Sequence, residues 1–404
     1  MATTATMAAT AITNHRRGRR LNMAVRLGEI RLRRYPLGPG MILVWVLAAL
    51  GMGVAVYRWI YGLGATTNLS DGRPWGLWIS FDMMSGIGLA AGAFTVAAVV
   101  YIFNLKKFYP IVRATILTGF ISYTLAALTL MVDLSQPQRI WHLIIYWNIH
   151  SPLFEIGWCV MLYLTVLALE FSPVLFDALN WKVPLKIIRA ITIPLIIAGV
   201  TLSTMHQSTL GTMLTILPDK IHPLFYSRLF PLYFYLTAIA AGLAMTVFES
   251  FHSSRTYGYP FEIKMLSKLV KGIPWVLGIY FVIRLAELFI TGKYLYLLQG
   301  GAPAVMFIIE MVGGVLVPIL YFSDPNTRND VHGITWGAFF TMGGLILNRV
   351  NAALIFMDGS FYLPSWQELA VTVGLTCLGL IMFDAAVRFL PMFPEPTPKA
   401  VKRL

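Results

Sequence analysis

The sequence predicts an all-α membrane protein: ten transmembrane helices, read as two four-helix bundles with a flanking helix at each end. Three observations carry that prediction. Of 404 residues, 57% are hydrophobic and only 12% are charged, where soluble domains carry about a quarter charged residues. Apolar runs of ~20 residues recur, each long enough to cross a ~30 Å hydrocarbon core as a helix. The basic residues also alternate from connection to connection. Of 31 Lys and Arg, 23 fall in, or within three residues of, the N-terminal tail, the connections after even-numbered spans and the C-terminal tail. Five (Arg73, Arg139, Lys220, Arg228, Lys293) fall in the opposite connections, and Arg58, Arg284 and Arg349 lie inside spans. By the positive-inside rule both termini face the cytoplasm.

The chain opens on a basic tail over 1–40, where "HRRGRRLNMAVRLGEIRLRR" reads as a topological anchor on anionic lipid. Arg16–Arg17 resemble a twin-arginine signal only superficially, because no apolar run follows closely. The first span, 41–60, is a flanking helix. Spans 2 to 5 are read at 76–103, 112–134, 153–176 and 187–205, so the first bundle covers 76–205. Spans 6 to 9 are read at 230–250, 272–292, 302–322 and 333–356, so the second covers 230–356. A flanking span 10 at 367–390 and a cytoplasmic tail at 391–404 complete the chain.

The division into two bundles rests on an internal repeat. "SPLFEIGWCVMLYLTVLALEFSP" from Ser151 aligns without gaps with "APAVMFIIEMVGGVLVPILYFSDP" from Ala302 at an offset of 151, pairing Pro152 with Pro303 and Phe171–Ser172 with Phe322–Ser323. "GLAAGAFTV" at Gly88 resembles "AIAAGLAMTV" at Ala238 at nearly the same offset. A four-span repeat is even, so both copies enter from the same side and the axis relating them lies along the membrane normal.

Orientation converts position into depth. Asp82 lies about two turns below the outer surface in span 2, Asp133 ends span 3, Glu155 falls in the first turn of span 4, and His206 ends the helix of span 5. Four helices thus bring a titratable group to one outer level, with Tyr123 mid-span below them. Ionisable groups in a bilayer are retained when they reach water, pair or work. A lone interfacial histidine bonded to a loop explains His206 by itself; the four-helix set favours a site. Glu170 and Glu249 lie inward, as interfacial helix ends or as lower proton stations. Arg284, Glu287, Glu310 and Arg349 read as structural ion pairing, because both signs are present. Trp75, Trp78, Tyr146 and Trp147 border the outer level, as a ring-binding wall or as an interfacial aromatic belt.

These groups suit proton-coupled work on a lipid-soluble molecule. A quinone takes up protons on reduction, so its carbonyls want His, Asp, Glu or Tyr nearby and its ring an apolar cleft. The two cysteines, Cys159 and Cys377, lie in different spans and form no Cys-x-x-Cys, so no iron–sulfur cluster is expected in this chain. No zinc-type cluster is visible, and one histidine at membrane depth does not supply the axial pair of haem b. The net charge of +13 is accounted for by topology, so no nucleic-acid partner is expected. Two other readings compete: a proton-coupled secondary transporter, favoured by the parallel repeat, and a purely structural membrane anchor.

"RPWGLWISFD", "SPLFEIGWCVMLYLTVLALEFSP", "STMHQSTLGTM" and "KIHPL" resemble the polysulfide-reductase/NrfD family of integral membrane subunits, most of all the HybB-type subunit of membrane-bound uptake [NiFe]-hydrogenases. The likeness runs from about Gly62 to Pro394. It implies a bacterial inner-membrane subunit without metal, exchanging electrons between menaquinone or ubiquinone and a ferredoxin-like iron–sulfur subunit on the outer face. In HybB-type complexes that partner takes electrons from a [NiFe]-hydrogenase heterodimer. The resemblance places His206 on the quinone-side histidine, Glu155 on the matching glutamate, Tyr123 on the span-3 tyrosine, Asp133 on the acid ending span 3 and Glu249 on an acidic group of span 6. The connection "LSQPQRIWHLIIYWNIH" is shorter than in HybB-type subunits and closer to other branches of the family.

Overall fold

The computed structural model describes residues 25–27, 30–32, 38–70, 72–73, 75–357 and 362–392. Most of the basic N-terminal anchor and of the C-terminal tail lies outside them. Within the tail, Val25–Leu27 (β1) pairs antiparallel with Ile30–Leu32 (β2), Val25 opposite Leu32.

Everything that crosses the membrane is helical, as it must be where no water satisfies backbone N–H and C=O groups. Among the described residues nine helices are long and apolar enough to span, and a bent pair supplies a tenth. They are α1 (Pro39–Tyr61), α2 (Trp78–Ile102), α3 (Lys106–Asp133), α4 (Pro152–Ala178), α5 (Thr192–Thr215), α6 (Phe230–Tyr257), α7 (Ile263–Ile290), α8 (Gly301–Ser323), α9 (Val331–Ile355) and α10 (Trp366–Phe389). The chain is a multi-pass membrane protein. The side where α1 begins and α10 ends is called the near side below, the other the far side.

Local chemistry sets several boundaries. Ser151 caps α4 by accepting from the Phe154 N–H, with Pro152 in the first turn. Ser365 and Glu368 form a reciprocal capping box at the start of α10. Gly258, at φ 73°, takes the left-handed conformation that stops α6. Pro173 removes one backbone donor inside α4, and the Ser172 hydroxyl supplies a bond to the Leu169 carbonyl there (2.8 Å).

The fifth span differs from expectation. A short helix, Lys182–Ala190, carries Lys182, Lys186 and Arg189 and meets α5 at a 60° bend. The span proper starts at Thr192 and continues ten residues beyond the expected end at 205. Ile187 and Ile188 belong to the short interfacial helix. The hydroxyl-rich stretch stays helical because its side chains bond back to their own helix, Thr204 to the Val200 carbonyl (2.8 Å) and Thr212 to that of Ser208 (3.1 Å). His206 therefore lies inside a helix and does not end one.

Helix packing runs in series through α2, α3, α4 and α5, continues from α5 to α6, and links α6 to α7 and α9 and α8 to both α7 and α9. α2 also crosses α6, where a Cβ on Gly242 would lie 2.2 Å from the Gly92 nitrogen. Only paired glycines permit that approach. One apolar core extends from α2 to α9. α1 and α10 pack on each other through Gly51 and Gly374, and α10 leans on α3.

Candidate functional site

The site grows from the facing surfaces of α4 and α5. On α4, Glu155, Tyr163 and Glu170 are eight and seven residues apart, close to two turns each, and share one face. On α5, Ser203, His206 and Thr209 recur every three residues. The Thr209 hydroxyl donates to Glu155 Oε1 at 2.6 Å, and Thr209 Oγ1 also lies 2.9 Å from the Met205 carbonyl. Its one proton serves either acceptor. The hydroxyl thus ties Glu155 of α4 to the backbone of α5.

One turn deeper, His206 is wholly buried. Its ring meets Tyr123 of α3 edge-on at 5.6 Å between centroids, and Tyr123 meets Tyr163 likewise at 4.6 Å. Both His206 nitrogens and Gln207 Oε1 are buried without a hydrogen-bond partner, beside the Ser203 hydroxyl, which faces those of Tyr123 and Tyr163. The Gln207 amide donates to the Ile87 carbonyl (3.0 Å) and so tethers the knot to α2. Each unsatisfied buried group costs about 1–3 kcal/mol, so three such atoms on adjacent residues mark a place built for waters or an exchanging ligand. Below them Glu170 rests on Gly199, where a Cβ would meet Glu170 Oε1 at 3.1 Å and Tyr163 at 3.6 Å. Polar groups thus form a file down the α4–α5 seam from Glu155 to Glu170, fifteen residues or about 22 Å of helix.

The other expected groups stand apart from this file. Asp82, in a π-helical stretch of α2, accepts from Thr372 of α10 at 2.6 Å. Asp133 is the last residue of α3, and buried Arg58 of α1 donates to the Asp133 and Leu134 carbonyls at 3.3 and 2.5 Å. Trp78 is buried against Val54, Val132, Val371 and Leu375, its indole N–H on the Glu368 carbonyl at 3.3 Å. The expected four-way convergence thus resolves into Glu155 with His206 in the α4–α5 seam, and Asp82, Asp133 and Trp78 where α2 and α3 meet the α1–α10 pair. Glu249, bonded by Ser253 at 2.9 Å, faces a void of about 10 Å³ between α2, α3 and α6, while Glu170 faces a separate cavity. Both acids sit inside their helices and not at the ends.

Residues that sequence reasoning passed over organise the far side. Glu368 accepts from the N–H groups of Asn68 (3.3 Å), Leu77 (3.2 Å) and Ser365 (3.0 Å) and from the Tyr362 hydroxyl (2.7 Å). Burial and this carboxylate push the Tyr362 pKa up, so its hydroxyl remains the donor. Ser365 bonds the Thr66 carbonyl (2.6 Å), Lys220 that of Gly72 (2.6 Å) and Arg73 that of Met357 (2.6 Å). Three far-side connections are thereby joined. Of the two that remain, the connection between α3 and α4 leaves Trp141, Ile144, Tyr146, Trp147 and Ile149 exposed. The spacing of Ser365 and Glu368 was the available signal, since Ser-x-x-Glu before an apolar run is a capping box.

In the second set of charges, Arg284 and Glu287 pair and Glu310 and Arg349 do not. Arg284 bonds Glu287 (2.8 Å) and the Leu224 and Phe225 carbonyls (2.9 and 3.1 Å), and Lys293 bonds Glu287 (3.2 Å). Glu310 accepts from Asn348 and Asn351, both at 2.8 Å, and Arg349 joins Asn348, the Phe234 carbonyl and Thr237. Asn348 stands between Glu310 and Arg349, which do not pair directly.

Residues 65–356 match the family described as polysulphide reductase, NrfD. The chain is 32% identical to the probable Ni/Fe-hydrogenase 2 b-type cytochrome subunit of Escherichia coli, over 86% of this chain and 91% of that protein. It is 29% identical to the integral membrane subunit of menaquinone reductase from Nitratidesulfovibrio vulgaris, over 88% and 92% of the two chains. It is 24% identical to the Hdr-like menaquinol oxidoreductase integral membrane subunit of Archaeoglobus fulgidus, over 87% and 93%. α1 and α10 lie outside the matched segment, so Arg58, Glu368 and Thr372 come from outside it.

Proposed function

The chain belongs to the NrfD, polysulphide reductase family, and from that premise we propose that it is the quinone-reactive membrane subunit of a respiratory oxidoreductase. In this reading it exchanges electrons between an extracytoplasmic iron–sulfur subunit and menaquinone or ubiquinone. A [NiFe]-hydrogenase is the favoured source of electrons, supported by the hydrogenase subunit among its relatives. The far side is then the extracytoplasmic side, in keeping with the distribution of Lys and Arg, and both termini are cytoplasmic in a bacterial inner membrane.

The observation that carries the proposal is the polar file from Glu155 to Glu170 with the unpartnered buried atoms of His206 and Gln207 at its centre. A quinone supplies two carbonyl oxygens that accept protons when electrons arrive. We place its head group at the far-side end of the α4–α5 seam, beside Glu155 and Thr209, with Asp82, Asp133 and Trp78 forming, apart from it, the rim where α2 and α3 meet the α1–α10 pair. His206 and Tyr123 hold hydrogen bonds behind it. Glu155 hands a proton through Thr209, and His206, Ser203 and Tyr163 continue the route toward Glu170 on the near side. Glu249 is a second near-side station. α2–α5 and α6–α9 are read as two bundles related by duplication, supported by the contact of Gly92 with its repeat counterpart Gly242.

The cytochrome in the name of the Escherichia coli relative is a property of that protein. For this chain we propose no resident haem and no iron–sulfur cluster. The ring neighbour of buried His206 is Tyr123, and His252, also on a span, is exposed and bonded to the Phe248 carbonyl (2.8 Å). Neither cysteine is paired.

The test is His206→Ala in the assembled complex. Quinone-linked turnover per complex is expected to fall by ~10²–10⁴-fold, the worth of a positioned proton-transfer group. Reduction of an artificial dye by the partner enzyme should persist. Near-normal quinone turnover in His206→Ala, Glu155→Gln and Asp133→Asn alike would overturn the assignment. Solitary ion-coupled transport in vesicles would instead establish the transporter reading.

A further inference from the structure

A cavity of about 130 Å³ opens at the near-side membrane surface, between the ends of α2 and α4, the starts of α3 and α5 and the short helix Lys182–Ala190. Its polar lining is Tyr101, Tyr109, Arg113, Glu170, Asp177 and Arg189. The remaining walls are apolar, with Val112 and Ile116 on one side and Leu195 and Ile196 on the other.

The four charges have an unusual property. They are two of each sign around one cavity, and no pair of them forms an ion pair. Arg113 spends one donor on the Pro391 carbonyl (3.2 Å), and the other three make no side-chain hydrogen bond among the described residues. Arg113 and Glu170 are half-buried, while Asp177 and Arg189 are exposed. Here the 60° bend between the short helix and α5 holds Arg189 and Thr192 on one wall while α4 holds Glu170 and Asp177 on another. α5 also begins at this cavity with no side chain capping its first turn, so free N–H groups add partial positive charge beside the arginines.

We propose that this cavity is a binding site for a zwitterionic aminophospholipid head group, a phosphoethanolamine. Its phosphate sits between Arg113, Arg189 and the start of α5. Its primary ammonium donates to Asp177 and Glu170, and its chains leave along the apolar walls into the leaflet. A purely anionic head group would satisfy the arginines and leave both carboxylates facing negative charge. A quaternary ammonium would reach the carboxylates without an N–H to donate. A seated head group caps the near-side end of the polar file, yet the inference does not rest on the quinone reading.

The experiment uses the full chain with its accompanying subunits, stripped of lipid in detergent and then titrated. The probes are dioleoyl lipids carrying ethanolamine, N-methyl-, N,N-dimethyl- and trimethyl-ethanolamine, and glycerol head groups. Retained lipid is counted by intact-complex mass spectrometry, and the thermal midpoint is followed in parallel. Ethanolamine is expected to be retained best and to raise the midpoint, with retention falling stepwise as N–H groups are replaced by methyls. Asp177→Asn and Arg189→Gln should each cut ethanolamine retention by roughly tenfold, the effect of one charge-assisted hydrogen bond, and Asp177→Glu should restore it. The methyl series uses the native chain, so the test survives a variant that fails to assemble. Equal retention across the series, preference for the glycerol head group, or wild-type retention in both variants overturns the proposal.

Discussion

Replacing Thr209 by valine tests the proposed relay at its narrowest point. Valine keeps the shape and both branches of the β-carbon, so the packing of α5 on α4 is preserved. It removes the hydroxyl that bonds Glu155 Oε1 at 2.6 Å and the Met205 carbonyl at 2.9 Å. A hydrogen bond to a charged or proton-sharing carboxylate is worth about 1.5–3 kcal/mol. At ~1.36 kcal/mol per decade, a step that depends on this bond slows by roughly 10- to 160-fold. The assay is quinone-linked turnover per assembled complex, normalised to dye reduction by the partner enzyme, with the thermal midpoint as a control. Thr209→Ser keeps the hydroxyl and should recover most of the activity. Turnover within threefold of wild type in Thr209→Val, alongside a large loss in Glu155→Gln, would show that Glu155 works without Thr209. Loss matched by loss of assembled complex would show that the contact is structural.

Two further substitutions test how the site is held. Gly242→Ala places a methyl 2.2 Å from the Gly92 nitrogen; backbone cannot yield as a side chain can, so about 1–3 kcal/mol of overpacking strain is expected, read as a lower thermal midpoint in detergent. An unchanged midpoint would mean that α2 and α6 do not cross so closely. Glu368→Gln leaves one acceptor oxygen for the four donors now shared between Oε1 and Oε2. The connection between α1 and α2 should then become sensitive to limited proteolysis, with quinone turnover reduced through the displaced rim around Asp82 and Asp133. Wild-type resistance to protease would remove Glu368 from that role.

Composition and charge made the membrane class legible, because a bilayer demands apolar length from each span and because Lys and Arg in the connections report topology. The residues that carry the polar file were legible one by one: His206, Glu155, Tyr123 and Glu170 all stand out as titratable or aromatic groups inside apolar sequence. That Glu155 and Glu170 share one face of α4 came only with the structure, and Tyr163 between them was passed over because a tyrosine in a membrane helix does not stand out by itself. The depth of His206 was not legible. Hydropathy reads a run of Ser, Thr and Gln as the end of a span, whereas those side chains bond back to their own helix and let it continue through Thr215. Nor could spacing along the chain assign neighbours. Asp82 and Asp133 share an outer level with Glu155, but level is one coordinate and contact needs three. Which faces of α2 and α3 turn toward α5, and which toward the α1–α10 pair, follows from glycines meeting across helices, Gly92 on Gly242 and Gly51 on Gly374. Those meetings join residues some 150 and 320 positions apart. A single sequence records each glycine and not its partner, so the closest approaches, and the sites they separate, belong to the folded chain alone.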